Sequence, residues 1–204
     1  MTNLSPLEIA ELVCTRISHD LIGNIGAMCN AVELMEDDPS DIDDLKPLLK
    51  TSAQTLSSRL KFFRLAFGLK NALLKDVDEA KKIAEDYLQT IGSQKHPIVL
   101  EWNVQNVSLY KIVFLSLMSL ADVFIRGGTM EVDESEDGLV CLARSEFELA
   151  RQKLENMQKA LSGNVPDENP ALYAPLVCLK SLISQAGIEV YLRGDAKEAV
   201  LEIK

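Results

Sequence analysis

An α+β fold led by a helical hairpin is what the 204-residue sequence predicts, and three observations carry that prediction. Apolar residues recur every three or four positions over most of the first 68 residues. Short apolar runs bounded by glycine and polar turns stand only beyond residue 96. Helix-like stretches lie between those runs, which suggests a small sheet covered on one face by helices.

The first helix starts at Asn3 or Ser5, either of which can cap it, with Pro6 in the first turn where its missing N–H costs nothing. Its apolar stripe runs through Ile9, Leu12, Val13, Ile17, Leu21, Ile25, Met28, Val32 and Met35. The polar stretch Glu36-Asp37-Asp38-Pro39-Ser40-Asp41 stops it and connects it to an antiparallel neighbour. The second helix places Leu45, Leu48, Leu49, Ser52, Leu56, Leu60, Phe63 and Phe67 on one stripe and ends near Gly68. Two such helices cannot bury both stripes against each other alone. They need the rest of the chain or a second copy, and a symmetric dimer forming a four-helix bundle is the economical solution.

Beyond the hairpin the spacing predicts a helix over Val77 to Ile91, a strand over Pro97 to Trp102 and a long apolar helix from Ser108 to Ile125. Strands follow at Thr129 to Val132 and Leu139 to Ala143, then helices at Glu146 to Leu161 and Pro170 to Ala186 around a loop with Gly163 and Pro166. Strands near Ile188 to Arg193 and Ala199 to Ile203 close the chain. The expected division is a dimerising helical hairpin over 1–70 and an α+β unit over 71–204, with no internal repeat.

The net charge of −10 argues against a nucleic-acid binder, since no basic stripe exists to displace counterions from phosphates, and weakly against an anionic membrane. Cys14, Cys29, Cys141 and Cys178 show no metal-binding or disulfide spacing, so a reduced interior is the simpler reading. The N-terminus lacks the basic and apolar regions of a signal peptide. The best apolar run, Ile112 to Ile125, is too short to span a membrane and contains Asp122. A cytoplasmic protein is expected.

Of the two histidines, His96 precedes Pro97 in a loop entering a strand and reads as a surface residue. His19 can be placed on its helix. At about 100° per residue it points about 170° from the centre of the apolar set, towards solvent. Thr15, Gly23, Gly26 and Asn30 fall within about 40° of it. Glycine inside a helix costs about 1 kcal/mol against alanine. Two glycines beside the only helical histidine either leave its nitrogen open to a bulky protein partner or allow close helix contact. Ile22 at the rim offers an apolar anchor for a partner. Asp20 adjoins His19, and Asn24 lies one turn beyond Asp20. A carboxylate there can orient the imidazole tautomer and take its proton as the other nitrogen attacks. Arg16, one turn before His19, either steers phosphoryl oxygens or an acidic partner, or is a plain surface arginine.

The run Thr15-Arg16-Ile17-Ser18-His19-Asp20-Leu21-Ile22-Gly23-Asn24-Ile25-Gly26-Ala27, followed by Asn30-Ala31-Val32-Glu33-Leu34, resembles the phosphoacceptor helix of the alphaproteobacterial histidine phosphotransferases related to ChpT. More distantly it resembles the dimerisation and phosphotransfer helix of histidine kinases. The resemblance covers nearly the whole chain in order, with its most specific part around His19. Where the family usually has Ser-Pro, this chain has Gly23-Asn24, which leaves the helix free to run straight and makes Asn24 resemble the amide some kinases carry there.

The resemblance implies a second half built like a histidine kinase ATP-binding domain that no longer binds ATP. The residues agree independently: Leu115 to Asp122 holds no asparagine for magnesium, and the connector after Leu161 is not glycine-rich. A triphosphate would find no backbone cradle and no metal ligand there. The implied function is a relay of a phosphoryl group between receiver-domain aspartates through His19. Asp20 and Asn24 stand beside it chemically, and Arg16, Ile22, Gly23 and Gly26 form the docking surface. No cofactor or metal is expected in the chain, magnesium arriving with the receiver. The implied partners are receiver domains of a hybrid histidine kinase and of response regulators, and a second copy of the chain. The alternatives are an ATP-using kinase or phosphatase and a non-catalytic dimeric adaptor.

Overall fold

The computed structural model describes residues 4–38, 42–68, 74, 76–136, 138–184 and 186–204. Helix α1 (Pro6–Asp37) begins at a complete capping box: the Glu8 N–H donates to Ser5 Oγ at 3.3 Å, and the Ser5 N–H donates to Glu8 Oε2 at 2.7 Å. The Ser5 N–H, and then the Ser5 hydroxyl, donate to the Glu8 carboxylate and hold its pKa below the usual value. Asn3, the other candidate cap, and Pro39 to Asp41 of the connector lie outside the described residues. Helix α2 (Ile42–Ala66) returns antiparallel to α1 and α3 (Val77–Ile91) follows, capped by Asp76.

Strands β1 (Ile98–Asn103), β2 (Gly128–Ser135), β3 (Gly138–Arg144), β4 (Val190–Gly194) and β5 (Glu198–Ile203) form one sheet in the order β1-β2-β3-β5-β4. Only β1 and β2 are parallel; the other pairs are antiparallel. The crossover between β1 and β2 is α4 (Tyr110–Ala121), entered through a 3-10 turn at Val107–Leu109. Helices α5 (Arg151–Ser162) and α6 (Ala174–Ser184) fill the long connection from β3 to β4. One sheet face is buried, with Leu100 and Trp102 on β1, Met130 and Val132 on β2, Cys141 on β3 and Leu201 on β5. The other face is charged: Arg144 bridges Glu131 at 3.0 Å and Glu198 at 2.7 Å across three strands. The mixed α+β architecture led by a helical hairpin is thus the one expected.

Helix α4 is the axis of the core. Apart from Lys111 and Ile112 every residue in it is buried, between the sheet and helices α2, α3 and α6. The end of α2 joins the same core. Phe62 stacks on Tyr87 of α3 at 3.8 Å and meets Phe114 of α4 edge-on at 4.9 Å. At the start of β2, Gly127 and Gly128 hold positive φ, and a Cβ there would lie 2.4 Å from the Pro97 carbonyl oxygen and 2.3 Å from that of Arg144.

Three helix boundaries differ clearly from expectation: the helix expected from Pro170 opens as a 3-10 turn and α6 starts at Ala174, and in the other two the backbone finds partners elsewhere. α4 stops at Ala121 and not Ile125, as the Val123 N–H turns back to the Leu120 carbonyl at 3.1 Å and the Asp122 carbonyl accepts Lys153 Nζ at 2.8 Å. α5 starts five residues late because the N–H of Leu149 donates to the Ala196 carbonyl and that of Ala150 to the Val123 carbonyl. No helix among the described residues is long and apolar enough to cross a membrane.

Candidate functional site

His19 sits midway along α1 with its side chain 73% exposed, as the helical wheel placed it. Its Nδ1 lies 3.2 Å from Asp20 Oδ1, leaving Nε2 directed away from that carboxylate. Around it Gly23 is exposed and Gly26 half-buried, and a Cβ on either would meet nothing within 4 Å. Ile22 is 65% exposed beside them, and Asn24 is half-buried. The open surface expected around the histidine is therefore present. On its other flank a groove of about 610 Å³ runs between the first half of α1 and residues 165–172, with Glu8, Glu11 and Asp167 along its rim.

Arg16 is not where the sequence placed it. The docking surface was expected to include it, but its side chain is only 2% exposed. Arg16 Nε donates to Asp20 Oδ2 at 2.7 Å. Its two terminal nitrogens fork onto Asp122, at 2.7 Å to Oδ2 and 3.1 Å to Oδ1, and one of them also donates to the Leu172 carbonyl at 3.3 Å. The physical reason is pairing: a buried guanidinium is tolerated only when its donors are satisfied, and here carboxylates on both sides do so. Burial acts against the charge most strongly of any single cause, but Asp122, Tyr87 and Asp20 together outweigh it and the guanidinium is held above its ordinary pKa.

Asp122, Arg59 and the Leu172 carbonyl belong to the site and were not singled out in the sequence. Arg59 of α2 donates to the backbone carbonyl of Asp20, to Thr90 Oγ1 at 3.1 Å and to the Thr90 carbonyl at 3.2 Å, tying α1 to α2 and α3. Asn169, in the left-handed region at φ 50°, starts the 3-10 turn Pro170–Tyr173 that presents Leu172 to Arg16. Tyr87 is fully buried nearby; its hydroxyl has no hydrogen-bond partner among the described residues, and burial pushes its pKa up. The one signal for Asp122 was its charge inside an apolar run, since such an acid demands a cation.

His96 lies apart from this site. It is half-buried and packs edge-on against Phe147 at 5.4 Å, less open than the loop position had suggested. All four cysteines carry free thiols; Cys14 and Cys29, inside a largely apolar helix, are exposed, whereas Cys141 is buried. Among the described residues no group of three or more histidines, cysteines, aspartates or glutamates is arranged to hold a metal ion.

No family model matches the chain. The protein phosphotransferase ChpT of Brucella abortus (strain 2308) is 39% identical over 88 residues, which is 42% of this chain and 42% of that protein. The match therefore spans less than half of either. A bacterial phosphotransferase of known structure superposes over 100% of this chain and 98% of its own, with a TM-score of 0.78 and 26% identity. The histidine kinase domain of the blue-light activated kinase of Erythrobacter litoralis EL346 aligns over 97% of the chain at a TM-score of 0.44 and 10% identity, too slight a likeness to carry weight. Similar to a ChpT phosphotransferase in sequence over the matched stretch and to a bacterial phosphotransferase in fold over its whole length, the chain is ChpT-like.

Proposed function

We propose that this chain is a histidine phosphotransferase of a two-component phosphorelay, with His19 as the phosphoryl carrier. The observation that carries the reading is an exposed imidazole with one nitrogen facing a fixed carboxylate and the other facing open surface. With the Nδ1 proton on the Asp20 side, the lone pair of Nε2 attacks the phosphorus of a receiver's aspartyl phosphate. The N–P bond forms as the P–O bond breaks, and the receiver's carboxylate leaves as an anion. Asp20 stabilises the positive charge that develops on the ring, or accepts its Nδ1 proton. In the second half the carboxylate of another receiver attacks the phosphohistidine, and the N–P electrons return to Nε2. Gly23, Gly26 and Ile22 supply the flat, partly apolar surface a receiver docks on, and Asn24 lies at its edge. Magnesium comes with the receiver.

In this reading residues 1–70 carry the phosphoryl group and 71–204 support them without using ATP. The carboxylate of Asp122, the one acid of the α4 segment, is already engaged by Arg16. The apolar residues left exposed towards the far end of the hairpin support a homodimer with a four-helix bundle, and the proposed place of work is the cytoplasm.

The test is transfer of labelled phosphate from a phosphorylated receiver domain to the purified protein, with an ATP-only arm. Label on wild type and none on His19→Ala supports the relay, and His19→Ala keeps its fold because the side chain is exposed. Label taken directly from ATP would make the chain a kinase. Receivers that bind without any transfer would leave an adaptor.

A further inference from the structure

The carboxylate beside His19 is not held by its own helix alone. Asp20 Oδ2 accepts from Arg16 Nε at 2.7 Å, which turns Oδ1 towards His19 Nδ1 at 3.2 Å. Arginine is long and has many rotamers, so this contact is only as fixed as the rest of the guanidinium. That end is clamped by the bidentate pair with Asp122, at 2.7 and 3.1 Å, and by the Leu172 carbonyl at 3.3 Å. Asp122 caps the end of α4 in helical backbone geometry, half-buried between the fully buried Ala121 and Val123, so its carboxylate has a rigid mount. The groups closing around the clamp are Tyr87 from α3 and Arg59 from α2, the latter on the Asp20 carbonyl. A contact needed only to join α1 to α4 would be as stable with apolar side chains, since a buried ion pair gains little over well-packed hydrocarbon. What hydrocarbon cannot do is aim an N–H at Asp20.

We propose that Asp122 is a positioning residue for phosphotransfer, acting through Arg16 to orient the Asp20 carboxylate and so to set which ring nitrogen of His19 keeps its proton. The inference rests on the reading of His19 as the phosphoryl acceptor. Asp122 touches neither the imidazole nor the phosphoryl group. Its consequence is that the end of α4, 106 positions away in the chain from Arg16, determines whether the histidine is presented as a nucleophile.

The experiment has two readouts on the full chain. One is the rate of phosphate transfer from a phosphorylated receiver domain to wild type, Asp20→Asn, Asp122→Asn, Asp122→Glu and the double variant D20N/D122N. The other is the His19 tautomer, read by nitrogen-15 NMR at a pH where the ring is neutral. Asp122→Asn is expected to slow transfer about 10- to 100-fold, the range found when a group that orients a metal-bound histidine is removed. It should also reduce the population of the form with the proton on Nδ1. The double variant should be no slower than Asp20→Asn, because both changes break one path. Transfer by Asp122→Asn at the wild-type rate, an unchanged tautomer, or a double variant slowed by the product of the single effects would overturn the proposal. Should Asp122→Asn fail to fold, Asp122→Glu keeps the charge but displaces the fork, and the same criteria apply to it. Absence of transfer by wild type would instead sink the reading of His19, and the tautomer measurement would still decide the orienting role.

Discussion

Towards its open end, the hairpin sends Phe62, Phe63, Leu65 and Ala66 of α2 into the common core and pins α1 there through Arg16. Towards the connector, Ile25, Val32 and Leu34 on α1 and Leu48 on α2 remain exposed. The three-to-four spacing of apolar residues is alike in both stretches, so periodicity marks a face that wants cover without saying what covers it. His19 stands where the covered half gives way to the uncovered one. Its carboxylate neighbour is fixed by the first, and its open surface continues into the second.

The comparison is broken most severely by Phe62→Ala. That substitution removes the ring stacked on Tyr87 and edge-on to Phe114, and it is expected to cost about 3–5 kcal/mol in urea unfolding. A smaller effect sharpens it through the thiols. Burial pushes Cys141 up to about 12 and Cys178 up to about 11, from an ordinary 9.0, whereas Cys14 and Cys29 are exposed. In the folded protein a thiol reagent should label the two hairpin cysteines first, the half-buried Cys178 more slowly and Cys141 only on unfolding. The raised values also set a sign: neutral buried thiols favour the fold fully below about pH 9, and that contribution is lost as pH rises towards 11 to 12. Unfolding midpoints measured across that range should fall for wild type and fall less for Cys141→Ala. The smallest change in fold stability, within about 0.5 kcal/mol, is expected from Ile25→Gln with Val32→Gln at the far end of the hairpin. If the proposed homodimer forms through this face, sedimentation should nonetheless show this variant shifted from dimer to monomer. An unaltered dimer would place the second copy elsewhere.

Most of the fold was legible because its signals are local. The cap at Ser5, the stripe on α2 and the apolar run that becomes β1 each lie within a few residues of the element they specify. The exposure of His19 was legible for the same reason, since a wheel fixes direction from spacing alone. Arg16 was misplaced because arginine is rarely fully buried, and the partner that makes it so is Asp122, remote in sequence. Arg59 and Thr90 escaped notice likewise: nothing near either residue announces a bond between them. The early end of α4 was hidden too, because it depends on Lys153 reaching the Asp122 carbonyl. Long-range pairing of charges leaves only a faint mark in one sequence, a charge where the pattern calls for hydrocarbon.

The ion pair between Arg16 and Asp122 also bears on portability. Residues 6–66, excised as a cartridge or grafted onto a foreign body, would leave the forked end of the Arg16 guanidinium without Asp122 and turn Phe62 and Phe63 outwards. Lineages that recombine signalling modules by swapping helical hairpins would have to carry the end of α4 along with the hairpin, or rebuild its equivalent in the recipient.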